Sequence, residues 1–226
     1  MDKWTINCLQ NYTGVQVFED LAANPMLLIE LDGTENEVSR QSGILTDWLS
    51  KYSLAFRIAE SEEEAENLWQ VRRQGSSAMK ELASTKLNED VVVPLDQQVN
   101  LVRFVESLRH QFNLKIGVFG HCGDGNLHVN FMYNEDDEEE TTRSVEALTS
   151  LMKKVIELGG AISGEHGVGL AKTPFVRDQF NQAEWEVMKS IKQSLDPKGI
   201  LNPGKIFQIF KPWEKEKLKV DLHWEK

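Results

Sequence analysis

Two glycine-rich stretches, 120-GHCGDGNLHVNF-131 and 163-SGEHGVG-169, hold three of the five histidines of this 226-residue chain, together with two carboxylates, Asp124 and Glu165. Imidazole changes charge near neutral pH and is the commonest metal ligand. His121, His128 and Glu165 offer two nitrogen donors and one oxygen donor. With an open fourth position that set describes catalytic zinc and also non-haem iron. His166, beside Glu165, is then left over as an imidazole next to the metal, suited to act as a general base. The same residues also read as a histidine pair packed on a sheet surface and a polar turn whose glycines reverse the chain. Residue types alone keep both readings open.

The elements that would position these groups are legible in outline. Asp124-Gly125 is a strong two-residue hairpin signal, because a type I′ turn needs positive φ at both central positions. That turn would place Gly123 opposite Asn126, Cys122 opposite Leu127 and His121 opposite His128. The two imidazoles would then be direct cross-strand neighbours, with Cβ atoms about 4.5–5.5 Å apart. Alternation of side chains puts Ile116, Val118, Cys122, Leu127, Val129 and Phe131 on one apolar face. Phe119, His121, His128 and Asn130 share the other, where Gly117 leaves space.

Elsewhere strands alternate with amphipathic helices. Apolar runs predict strands at 26–31, 56–59 and 91–93, the last ended by Pro94. Helical periodicity predicts helices over 36–51, from Ser61 through Val71, over 95–112, 141–158 and 183–195. The acidic run 135-EDDEEE-140 lacks the alternating ligands and central glycine of a calcium loop and reads as a solvated helix start. This order predicts one α+β domain, a mostly antiparallel sheet with helices on one face, followed by a charged tail from about residue 211.

Composition narrows the function classes. A formal net charge of −11 argues against a nucleic-acid surface, which needs a basic face. Two cysteines without a CxxC spacing exclude a thiolate metal cluster. No apolar run approaches the roughly 20 residues of a membrane span, and the first residues lack the order of a signal peptide. A cytoplasmic location is the expectation.

The motifs GHCGDGNLH, SGEHGVG and 195-LDPKGILNPGKIF-207, preceded by LWQVRR and NEDVVVP, resemble the C-terminal domain of FAD-linked 2-hydroxy-acid oxidoreductases. That family includes glycolate oxidase flavin subunits, D-lactate dehydrogenases and D-2-hydroxyglutarate dehydrogenases of the vanillyl-alcohol oxidase superfamily. The resemblance implies a ferredoxin-like α+β cap over the reactive face of FAD. It implies that His121, His128 and Glu165 hold a divalent zinc, manganese or iron ion and that His166 is the base. Arg72 would hold the substrate carboxylate, with Lys86 a looser candidate, and Asn130 would stand on the substrate side. Asn202 would reach toward the flavin. The implied partners are a small 2-hydroxy acid, a flavin-binding domain or subunit, and an iron–sulfur electron-transfer subunit.

Family members carry an N-terminal flavin-binding domain of about the same size, and no Gly-rich pyrophosphate loop lies upstream of residue 25. The expectation is therefore a cap that supplies half of an active site. Two rival readings come from other classes. One is a non-catalytic cap that binds a partner; the other is a two-histidine, one-carboxylate metal hydrolase that works without flavin.

Overall fold

The computed structural model describes residues 1–14 and 24–211; the expected charged tail lies outside them. Helices begin where a side chain can take the first free N–H groups. Asp2 accepts from Thr5 N at the head of α1 (Lys3–Thr13), which ends on Gly14 at φ 68°. Glu37 accepts the Thr34 N–H at the head of α2 (Glu35–Tyr52). Ser61 caps α3 (Glu62–Lys80) by accepting from Glu64 N. The Glu64 carboxylate, however, takes Arg57 and the Glu60 N–H in place of Ser61.

Next come β1 (Thr85–Val92), one 3-10 turn at Leu95–Gln97, α4 (Gln98–Phe112), β2 (Lys115–His121), β3 (Asn126–Tyr133) and α5 (Glu138–Glu157). Asp137 accepts from Glu139 N and Glu140 N, so the acidic run is a helix start. Last are α6 (Thr173–Gln179) and α7 (Gln182–Leu195), the latter opened by an Asn181–Glu184 capping box.

The three strands form an antiparallel sheet in the order β1-β3-β2. Beyond the free edge of β1, Ala161 makes one antiparallel bridge to Val92. The path β1-α4-β2-β3-α5-Ala161 thus has the split βαβ connectivity of a ferredoxin-like α+β fold, its fourth strand reduced to a single pair. One face packs Val91, Ile116, Val118, Leu127, Val129 and Phe131 against Leu101, Val105 and Leu108 of α4 and Leu148, Leu151 and Met152 of α5. On the other face α1 and α3 cover one end, where Cys8, Met79, Phe119 and Met132 cluster. The space over Gly117 is filled, since a Cβ there would strike Met79 Sδ.

The structure corrects three sequence expectations. Residues 26–31 and 56–59 are not strands. A strand needs a ladder, and among the described residues the only backbone pair made by 26–31 is Met26 with Met1, while Leu27 and Ile29 are exposed. The hairpin also closes two residues further from its tip than expected. Phe119 faces His128, Gly120 faces Leu127 and His121 faces Asn126, so neither Cys122–Leu127 nor His121–His128 is a direct pair. Asp124 does not take positive φ, and only Gly125, at φ 82°, does. The type I′ geometry is therefore not made. Instead Asp124 Oδ1 accepts Asn126 N, and the Gly125 carbonyl accepts Val93 N, which pins a four-residue loop to the end of β1.

Candidate active site

The floor of the site is the sheet face that α1 and α3 leave uncovered. Asp90 on β1, His128 on β3 and Phe119 on β2 lie side by side across it, with Asn126 and His121 one row beyond. The His128 ring is 5.3 Å from Phe119 and 5.7 Å, edge-on, from His121. His128 is buried and His121 exposed. Burial lowers the His128 pKa, with Asp90 opposing, which keeps the imidazole in the neutral form that can donate a lone pair.

The roof is the 163–169 loop after α5. Gly164 allows it to lie on the sheet, because any Cβ there would overlap the Asn126 amide. Glu165 Oε1 stands 3.5 Å from His128 Nε2 and 3.7 Å from His166 Nε2. The His166 ring stacks on that of His128 at 5.3 Å and 21°. Beside these groups opens a cavity of about 450 Å³ lined by Trp69, Arg72, Arg73, Phe119, His121, His128 and Glu165. Arg72 lies over the Phe119 ring, 4.9 Å from its centre. Burial pulls its pKa down while Glu165 pushes back. Arg73 instead pairs with Glu66 on its own helix.

Residues 1–206 match the family described as FAD linked oxidases, C-terminal domain. The chain belongs to that family. It is 34% identical over 208 residues to the glycolate oxidase subunit GlcD of Bacillus subtilis, covering 92% of this chain and 44% of that protein. A D-lactate dehydrogenase of Anaerostipes hadrus is 30% identical over 217 residues, 91% of this chain and 45% of that protein. A mitochondrial D-lactate dehydrogenase [cytochrome] of Arabidopsis thaliana is 32% identical over 192 residues, 83% of this chain and 34% of that protein. The chain therefore spans less than half the length of these relatives.

Within this FAD-linked oxidase C-terminal domain, five of the residues singled out from sequence converge. His121, His128, Glu165 and Arg72 line one opening, and the His166 ring stacks on that of His128. Three stand apart from it. Lys86 is on the same sheet face but four pairs along from Asp90, and its Nζ donates to Ser76 Oγ at 2.5 Å. Asn130 is fully buried and donates to the His128 carbonyl at 3.1 Å. Asn202, at φ 45°, sits in the turn after α7 and is not among the cavity residues.

Sequence reasoning missed Asp90 and Lys172, which organise the site from beneath. Asp90 Oδ2 accepts the N–H groups of Gly164, Glu165 and His166 at 2.8, 2.9 and 3.0 Å, and Oδ1 accepts Asn126 Nδ2 at 2.7 Å. Although burial opposes it, this set of donors and Lys172 hold the carboxyl pKa down at about 2. The buried Lys172 ammonium donates to the Asp90 carbonyl and lies 3.8 Å from its carboxylate. The only signal for Asp90 was an acid inside an apolar run, NEDVVVP. Lys172 gave none.

The donor atoms of His121, His128 and Glu165 all lie within 4.8 Å of one another. The 3.5 Å from His128 to Glu165 is close to the roughly 3.4 Å between two ligands held 2.0–2.1 Å from a tetrahedral centre. This set fits a divalent cation. Asp90, His128 and His166 also cluster; there Asp90 Oδ2 is taken by the loop N–H groups, while Oδ1 accepts Asn126 Nδ2 and faces His128 Nδ1. No helix among the described residues is long and apolar enough to cross a membrane.

Proposed function

We propose that this chain is a single cap domain, the substrate-side half of a flavin-dependent oxidoreductase that converts a small 2-hydroxy acid of the glycolate or D-lactate class to the 2-oxo acid. The observation that carries this reading is the meeting of two imidazole ligands, a carboxylate ligand and an arginine around one cavity, with a further imidazole stacked on one of those ligands, in a chain of this family. The names of the relatives, glycolate oxidase subunit and D-lactate dehydrogenase, supply the substrate class.

Arg72 is the cation placed for the substrate carboxylate. Phe119 supports the guanidinium from below, and partial burial strengthens its pull on an anion. His121, His128 and Glu165 would hold zinc, manganese or iron(II), which when bound lowers the pKa of a coordinated hydroxyl. His166 receives the hydroxyl proton on its ring, and its orientation is set by stacking on His128 and by its N–H bond to Asp90. FAD, which a flavin-binding domain or subunit would hold, would supply the two-electron acceptor for the hydride leaving C2. Trp69 and Phe119 give the cavity an apolar wall.

The test begins with zinc, manganese and iron(II) titrated into the 226-residue chain. One equivalent of one of them should bind, and His121→Ala or Glu165→Ala should abolish binding. A chain that binds none of the three overturns the metal part. With a flavin-binding domain supplied in trans, glycolate or D-lactate should bleach the flavin, and His166→Ala should remove bleaching while leaving acid binding in place. Hydrolysis without flavin would favour the metal hydrolase instead. A flavin-loaded complex that no 2-hydroxy acid reduces overturns the function.

A further inference from the structure

His128 Nδ1 is buried and has no hydrogen-bond partner. The nearest charged group is Asp90 Oδ1, at 3.9 Å, which is longer than a hydrogen bond. A buried ring nitrogen without a partner costs free energy, so it signals an arrangement that is completed in another state of the site. The same Asp90 carboxylate collects three consecutive backbone N–H groups, those of Gly164, Glu165 and His166, and the Ser163 hydroxyl at 3.3 Å. One buried side chain on β1 therefore touches both halves of the site, 74 to 76 residues away in sequence on the loop side and one strand away on the histidine side.

We propose that Asp90 is the positioning residue of this site: its carboxylate folds the 163–166 turn onto the sheet and draws the Nδ1–H of His128 toward itself. Nε2 of His128 is then left as the lone-pair donor, aimed at Glu165. The inference rests on the metal reading above for its purpose, but its geometry does not depend on an ion. A metal-binding histidine has its tautomer and ring direction fixed by a carboxylate on the other nitrogen, and losing such a partner typically costs about 10–100-fold in affinity. Here the carboxylate also sets the backbone that carries Glu165 and the base. Ligand, base and tautomer thus share one determinant. Lys172 and Asn126 keep that determinant charged and fixed, by the 3.8 Å ion pair and the 2.7 Å amide bond.

Two readouts on the 226-residue chain test this. In the metal-free protein, 15N chemical shifts of the His128 ring should show the proton on Nδ1, and the amides of residues 164–166 should be protected from exchange. A proton on Nε2, or unprotected amides, overturns the proposal before any variant is made. Zinc affinity, measured by titration, should fall about 10–100-fold in Asp90→Asn, with the His128 tautomer mixed. Gly164→Ala lifts the turn from Asp90 without changing a charge; it should lose zinc affinity in the same direction while keeping the Nδ1–H tautomer. If Asp90→Asn does not fold, the wild-type shifts and Gly164→Ala decide. Parental zinc affinity in both variants overturns the proposal. If the parent binds no zinc, the metal reading fails, and tautomer and amide protection still decide the role of Asp90.

Discussion

The two faces of the same three strands are built on opposite terms. The face against α4 and α5 is apolar and closed, and Ile116, Val129 and Phe131 are fully buried there. The other face buries Asp90, Asn126, His128 and Asn130, and several of their polar atoms have no partner, including Asn126 Oδ1, His128 Nδ1 and Asn130 Oδ1. Native interiors leave few such atoms. One face supplies the free energy of folding. The other spends part of it holding polar groups ready for a ligand. Glu89 is the exception, a carboxyl on the closed face, buried and 4.0 Å from Lys172.

This contrast can be broken in graded steps. Phe131→Ala should cost about 3–5 kcal/mol of stability by opening a cavity in the closed face, read by urea unfolding. If the loss is under ~1 kcal/mol, that face is not the main source of stability. Glu89 gives the next effect. Burial raises its pKa to about 7, with Lys172 opposing, so the folded state favours the neutral acid. Its contribution is fully present below the unfolded pKa, near 4.5, and is lost as pH rises through about 7. His128, whose pKa burial lowers, contributes the opposite slope, so the quantity to read is the difference between two chains. Relative to the parent, Glu89→Gln should gain on the order of 1–3 kcal/mol between pH 5 and pH 8. A difference that stays flat with pH would show that Lys172 keeps Glu89 ionised. The smallest stability effect belongs to the site itself. Glu165→Gln changes an exposed side chain and should leave the urea midpoint unmoved, yet lose metal binding.

Much of this was legible in the sequence because period is local. The 3.6-residue pattern finds α2, α4, α5 and α7, and the two-residue pattern sorts the hairpin faces except at Cys122, which lies exposed in the loop. The first helix carries signals of the same kind, since Asp2 and Gly14 are good caps. The misread strands show the limit of apolar runs, because a strand exists only by virtue of a partner that the run does not name. The candidate site divides in the same way. His121, His128, Glu165 and His166 stand in two glycine-rich motifs and could be found. Asp90 reaches the loop N–H groups across 74 to 76 residues, and Lys172 lies 82 away from the carbonyl it binds. No window along the chain contains either relationship.

The hairpin tip carries a rule of parity. The strands close over four residues, 122–125, where a two-residue tip was expected, and the site survives the difference because the slip is even. A tip shortened or lengthened by two still brings His121 and His128 to one side of the sheet. A one-residue slip of β2 along β3, with the pairing of β3 to β1 unchanged, would turn His121 toward α4 and α5 and leave His128 behind. The register of β2 is therefore restricted to even steps, while a residue added within the loop itself leaves the strands where they are.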